Sequence, residues 1–157
     1  MVGTFCAIGM AGCETPPQKA VETTERGDFF ITLMNVPPDA MQVAVALYRE
    51  EANYLSEPVA HAGTTPLGPN SGTSATVVFE DILAGAYAIV AIADRDGDGR
   101  LAQGLLGVPL EWYGFGNDAS GLLGPPSFEK TLVVLEAPKT MTTIHLKRPP
   151  FGTGQAK

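Results

Sequence analysis

Apolar residues along this chain recur with a period of two, in short runs. Asp28 to Asn35 (DFFITLMN) alternates and stops at Val36-Pro37-Pro38, where two prolines end a hydrogen-bonded ladder. Gln42 to Tyr48 (QVAVALY) sets Val43, Val45 and Leu47 on one face and Gln42, Ala44, Ala46 and Tyr48 on the other. Ser74 to Phe79 (SATVVF) brings Ala75, Val77 and Phe79 together. Ala86 to Ala93 (AYAIVAIA) is apolar on both faces, which predicts a central strand covered on both sides. Thr131 to Leu135 (TLVVL) and Met141 to Leu146 (MTTIHL) supply two more. A helix around Ala52 to Leu55 is kept short by Pro58 and Pro66. The whole predicts an all-β fold: an antiparallel β-sandwich of about seven strands over residues 27–149.

Composition agrees with one such domain. Of 157 residues, 18 are Gly and 13 Pro, which leaves little room for long helices, while 45% hydrophobic residues can fill a core. The net charge of −7 repels phosphate backbones and argues against nucleic acid as a partner. No apolar run approaches the 18 or so residues of a membrane span.

The first 12 residues (MVGTFCAIGMAG) form a short apolar stretch ending in small residues, as at the end of a secretory signal. Met10-Ala11-Gly12-Cys13 resembles the bacterial lipobox, with Met in place of the usual Leu. That resemblance implies cleavage before Cys13 and acylation of its thiol and amine. Several acyl chains anchor durably where one is marginal. The expected location is therefore extracytoplasmic, on a membrane facing the periplasm or the cell surface. Cys6 would leave with the signal, so the two cysteines would form no disulfide. Residues 13–26 continue as a polar Pro- and Thr-containing tether, and residues 150–157 read as a disordered tail.

Chemistry concentrates directly after the predicted central strand, in Asp94-Arg95-Asp96-Gly97-Asp98-Gly99-Arg100-Leu101. Carboxylates at positions 1, 3 and 5 with Gly at 6 match the first half of an EF-hand-type loop. The carbonyl of Arg100 falls where such a loop donates a backbone oxygen, and Leu101 anchors the loop. Crowded carboxylates repel one another without a counter-ion. A hard, oxygen-preferring cation resolves this, and Ca²⁺ suits a site without His or Cys. Position 12 is Leu105 rather than Glu, so another ligand must come from elsewhere. Glu111 is the first choice; Asp118, Asn117 and Asp81 are the others. The bland alternative is a turn built on Asp-Gly, with Arg95 and Arg100 neutralising the acids.

Gly104 to Glu129 is too long for an idle connection in a compact domain, at roughly 25 residues. It carries Trp112, Tyr113 and Phe115, which either contact a ligand such as a sugar ring or face inward and hold the segment down. Upstream, Gly85 allows the chain to reverse, and Tyr87 can pack its ring while its hydroxyl finds a partner. Phe79, Leu83, Gly85 and Tyr87 resemble a pattern of transthyretin-like and carboxypeptidase-regulatory-like sandwiches.

A longer resemblance runs through FEDILAGAYAIVAIADRDGDGRL, LGVPLEWYGFGND and GPPSFE. It is similar to a bacterial secreted family catalogued as domain of unknown function 2141. The matching residues are Leu83, Gly85, Tyr87 and Ala88; Asp94, Asp96, Asp98 and Gly99; Gly107, Pro109 and Glu111; and Gly114, Phe115 and Asn117. The resemblance implies an extracytoplasmic β-sandwich and carries no established activity.

Signals for catalysis are sparse. His61 lies in a Gly- and Pro-flanked stretch read as a loop, and His145 alternates with Ile144 and Leu146 and points to solvent. No Gly-x-Ser-x-Gly, His-Glu-x-x-His or phosphate-binding glycine loop occurs. The sequence therefore points to a lipid-anchored envelope module, its loop stabilised by Ca²⁺, with the membrane through Cys13 and a carbohydrate or envelope protein as partners. The alternative is a weak carbohydrate-active hydrolase pairing Glu111 with Asp118 or Asp81.

Overall fold

The computed structural model describes residues 24–56, 59–69, 71–98, 111–121 and 124–149. Cys13 and Arg100 lie outside the described residues, as do Leu101, Gly107, Pro109 and residues 150–157. Among those described there are eight strands: β1 (Arg26–Met34), β2 (Gln42–Tyr48), β3 (His61–Pro66), β4 (Ser74–Leu83), β5 (Gly85–Asp94), β6 (Trp112–Phe115), β7 (Leu132–Leu135) and β8 (Lys139–His145). Single 3-10 turns occur at Glu51–Asn53, Gly116–Asp118 and Phe128–Thr131.

The strands make two sheets, ordered β4-β1-β8 and β3-β2-β5-β6, with β7 also on β5. All pairs are antiparallel except β1 with β8, which run parallel. β6 and β7 lie end to end along one edge of β5: β7 pairs with Gly85 to Ala88 and β6 with Val90 to Ala93. The core fills the space between the sheets. Phe29, Ile31 and Leu33 of β1, Val77 and Phe79 of β4 and Ile144 of β8 meet Val43, Val45, Leu47, Tyr87 and Ile89. A second, smaller apolar cluster covers the other face of the second sheet, where Tyr48, Ala88, Val90 and Phe115 are packed by Tyr54, Leu55 and Phe128. This second layer is why β5 is buried on both faces, as its unbroken apolar run predicts.

Two expectations change. His61 opens a strand, β3, rather than lying in a loop, and Trp112–Phe115 is a strand within the Gly-rich segment. Leu83 to Tyr87 links the two layers. β4 belongs to the first sheet and β5 to the second, so the chain crosses between layers at buried Ala84. The hydroxyl of fully buried Tyr87 donates to the Leu83 carbonyl at 2.8 Å and ties this crossing together. The sandwich is antiparallel-dominated, as expected, with one parallel pair where the last strand docks beside the first.

The two layers are stitched at both sides. On one, Tyr113 and Lys147 exchange backbone hydrogen bonds of 3.1 and 2.7 Å. On the other, Thr65 Oγ1 donates to the Thr76 carbonyl at 3.0 Å. Such contacts satisfy edge groups that would otherwise template association. The first seam needs Gly114, because a Cβ there would sit 2.6 Å from Ile144 Cγ2 and 3.3 Å from Leu146 Cδ2. Gly114→Ala is therefore expected to destabilise the domain by about 1–3 kcal/mol through overpacking. A urea unfolding curve checks it: the midpoint should fall with the slope unchanged.

Candidate metal centre

The acidic loop grows out of the far end of β5, and strand register decides what it meets. Gln42 pairs with Asp94, and Ala93 pairs with Trp112. Glu111, one residue before β6, is thereby brought alongside Asp94. Side-chain alternation puts Gln42, Asp94 and Glu111 in one row, on the same face of the sheet as Tyr48, Val90 and Phe115.

The loop then folds back over this row. Asp94 Oδ1 accepts the backbone N–H groups of Asp96 (3.1 Å) and Gly97 (2.7 Å), and its Oδ2 accepts Gln42 Nε2 at 2.6 Å. Gly97 has φ +79°, a conformation that costs a side-chain-bearing residue but not glycine. Asp96 Oδ1 accepts the Asp98 N–H at 3.2 Å. Glu111 Oε1 accepts the Arg95 N–H at 2.9 Å. As a result one carboxylate oxygen from each of Asp94, Asp96 and Glu111 lies within 4.8 Å of the others. Asp94 is fully buried and Glu111 is 4% exposed, whereas Asp96 is exposed. Asp98 is exposed and lies outside this group.

The electrostatics favour a cation. Two ionised carboxylates at this separation repel by about 3–4 kcal/mol at an effective dielectric constant near 20. Backbone N–H dipoles offset part of that cost. Arg95 does not offset it with its charge, because its guanidinium turns to Asp39 at 2.6 Å. An all-oxygen donor set, partly buried and preorganised by its own backbone, fits a hard divalent ion.

The other proposed ligands sit elsewhere. Asp81 pairs with Arg26 at 3.0 Å, and its N–H donates to Asp28 Oδ1. It lies at the crossover end, separated from Asp94 by the length of β5, about 30 Å at the usual rise per residue. Asn117 Nδ2 donates to the Leu132 carbonyl at 2.7 Å and fastens the junction of β6 and β7. Asp118 accepts the His145 backbone N–H on Oδ1 and contacts His145 Nδ1 through Oδ2, both at 2.7 Å. His145 is half-exposed, as its strand position predicts, and is held by this carboxylate.

Alternation divides the aromatic trio. Trp112 packs against the main core, while Tyr113 and Phe115 belong to the outer cluster, their ring centroids 5.8 Å apart. Phe115 is buried; Trp112 and Tyr113 are half-buried. Gln42 and Asp39 were not singled out in the sequence. Gln42 carried one signal, a polar residue at the start of an apolar strand.

Residues 31–143 match the model of the family described as "Uncharacterized protein conserved in bacteria (DUF2141)". No curated protein matches the chain. Among solved structures, the chain is similar to a fimbrial assembly protein from Parabacteroides distasonis ATCC 8503, at 11% identity with a TM-score of 0.43. The match covers 78% of this chain and 53% of that one, so the chain spans about half the length of that protein.

Asp118, away from the acidic loop, gives the fold a pH dependence. Burial alone would raise the Asp118 pKa. The two His145 hydrogen bonds, the His145 charge and Lys147 outweigh burial and hold it below the usual 3.8. A depressed carboxylate pKa stabilises the fold above the unfolded value and loses that contribution as pH falls through the folded one. Asp118→Asn is expected to flatten the acid limb of a stability–pH profile below about pH 4, by under about 1 kcal/mol because the pair is half-exposed. Thermal melts from pH 2 to 6 test this; parallel curves for the two proteins would refute it.

Proposed function

The chain belongs to the bacterial family DUF2141, and from that premise we propose that it is a Ca²⁺-stabilised binding or structural module of the cell envelope, anchored through a lipidated Cys13. The observation that carries the reading is the convergence of Asp94, Asp96 and Glu111 within 4.8 Å while the neighbouring Arg95 is engaged by Asp39. In this reading, Asp94, Asp96 and Glu111 supply side-chain oxygens, and Asp98 and the Arg100 carbonyl are the further donors that the loop pattern offers. The ion locks the end of β5 to the start of β6 and so holds the Gly-rich segment that follows.

A structural role suits the surroundings better than hydrolysis. Both oxygens of Asp118 are engaged by His145, and Asp81 lies at the opposite end of the sandwich. Neither is thus offered to Glu111 as a second catalytic carboxylate. The lipobox-like Met10 to Cys13 and the polar tether support placement outside the cytoplasm. No helix among the described residues is long and apolar enough to cross a membrane. Outside the cytoplasm, modules of this kind bind Ca²⁺ with dissociation constants on the order of 10⁻⁴ to 10⁻³ M.

Calorimetric titration of the full chain with CaCl₂ tests the metal. The wild type should bind one ion in that range, and tenfold excess over Kd should add about 1.4 kcal/mol of stability. Asp96→Asn, at an exposed position that the fold tolerates, should weaken binding by about tenfold or more. Equal heats for the two proteins would overturn the assignment. The anchor is tested by radiolabelled palmitate incorporation in a bacterial host, which Cys13→Ser should abolish.

A further inference from the structure

A second group of side chains meets at the other end of the sandwich, where β4 crosses to β5. Arg26 opens β1, Arg49 follows β2, His61 opens β3, and Tyr87 lies near the start of β5. The Arg49 guanidinium stacks over the Tyr87 ring, 5.3 Å from its centroid. Its room is made by Gly85, whose φ of +142° favours glycine and where a Cβ would lie 3.4 Å from an Arg49 Nη. The His61 ring lies against Tyr87 and Phe79, with centroid separations of 6.0 and 6.5 Å.

The charges at this end are unequal. Arg26 is neutralised by Asp81, through a 3.0 Å ion pair and a second bond to the Asp81 carbonyl. Among the described residues no carboxylate lies within ion-pair distance of Arg49. Its guanidinium carbon lies over the Tyr87 ring, and the residue is exposed. A planar guanidinium held in this way is pre-set to bind an oxyanion through two parallel hydrogen bonds. Burial first, then the positive charges of Arg26 and Arg49, hold the His61 pKa below its usual value. At neutral pH His61 is therefore an uncharged donor or acceptor beside a free cation.

We propose that Arg49 and His61, flanked by Arg26, form a binding site for an oxyanion: the carboxylate, sulfate or phosphate group of a ligand. Arg49 supplies the charge and the fork, and His61 supplies a single hydrogen bond. Tyr87 is the platform that fixes Arg49. The site is independent of the acidic loop, which lies at the far end of β5.

Histidine-ring NMR on the full chain tests this, with His145 as internal control. Sodium sulfate, phosphate and acetate are titrated in turn at ionic strength held constant with NaCl. At least one should shift the His61 ring signals saturably and raise the His61 titration midpoint, leaving His145 unmoved. Arg49→Gln should weaken that response by about tenfold or more, and Arg49→Lys, which keeps charge without the fork, by less. The pattern among the three salts identifies the oxyanion class. Signals that drift linearly with all three salts, or a saturable response unchanged in Arg49→Gln, would overturn the proposal. Both variants alter an exposed side chain, and the His145 signals report whether each remains folded.

Discussion

Burial of β5 on both faces is the constraint from which the rest follows. Tyr87, Ile89, Ala91 and Ala93 face the core between the sheets, while Ala88 and Val90 face the outer layer. A strand with one polar face can slip by two residues at modest cost. A strand covered twice, and paired along one edge with β2 and along the other with both β6 and β7, cannot. Its register places Tyr87 at one end, under Arg49, and Asp94 at the other, between Gln42 and Glu111. The two side-chain groups described above thus lie at opposite ends of the most apolar strand.

The two ends solve opposite problems. At the acidic end, buried carboxylates accept backbone N–H groups, and the Arg95 guanidinium is held by Asp39. Hydrogen bonds to charged groups contribute about 1.5–3 kcal/mol each, which offsets the desolvation of Asp94 but leaves mutual repulsion in place. At the crossover end, a cation rests on an aromatic face beside a histidine kept neutral.

Much of this was legible in the residue pattern, and the parts that were not have physical reasons. β1, β2, β4, β7 and β8 announce themselves as short runs rich in apolar and β-branched residues, and β5 as an unbroken apolar run. β3 does not, because its inward positions are His61, Gly63 and Thr65. The core there is filled from the opposite layer: a Cβ on Gly63 would sit 2.9 Å from Val77 Cγ1 and 3.2 Å from the Phe79 ring. A strand whose partner supplies the bulk has no hydrophobic signature of its own. β6 spans only four residues and one of them is Gly114, so alternation had no length in which to appear. The acidic triplet was visible from spacing, and the need for an outside oxygen pointed to Glu111. Choosing among Glu111, Asp81 and Asp118 required knowing which strand ends coincide, which spacing does not carry. Gln42 was invisible as a donor to Asp94 for the same reason.

The parallel docking of β8 on β1 has a temporal meaning. Phe30 lies beside Met141, so the middle strand of the first sheet finds one neighbour only after more than a hundred further residues have been made. Closing a loop of that size is slow, since its entropy is lost before any contact rewards it. The first sheet is therefore complete only when the two ends of the domain lie side by side, so its middle strand joins the start of the described chain to its end.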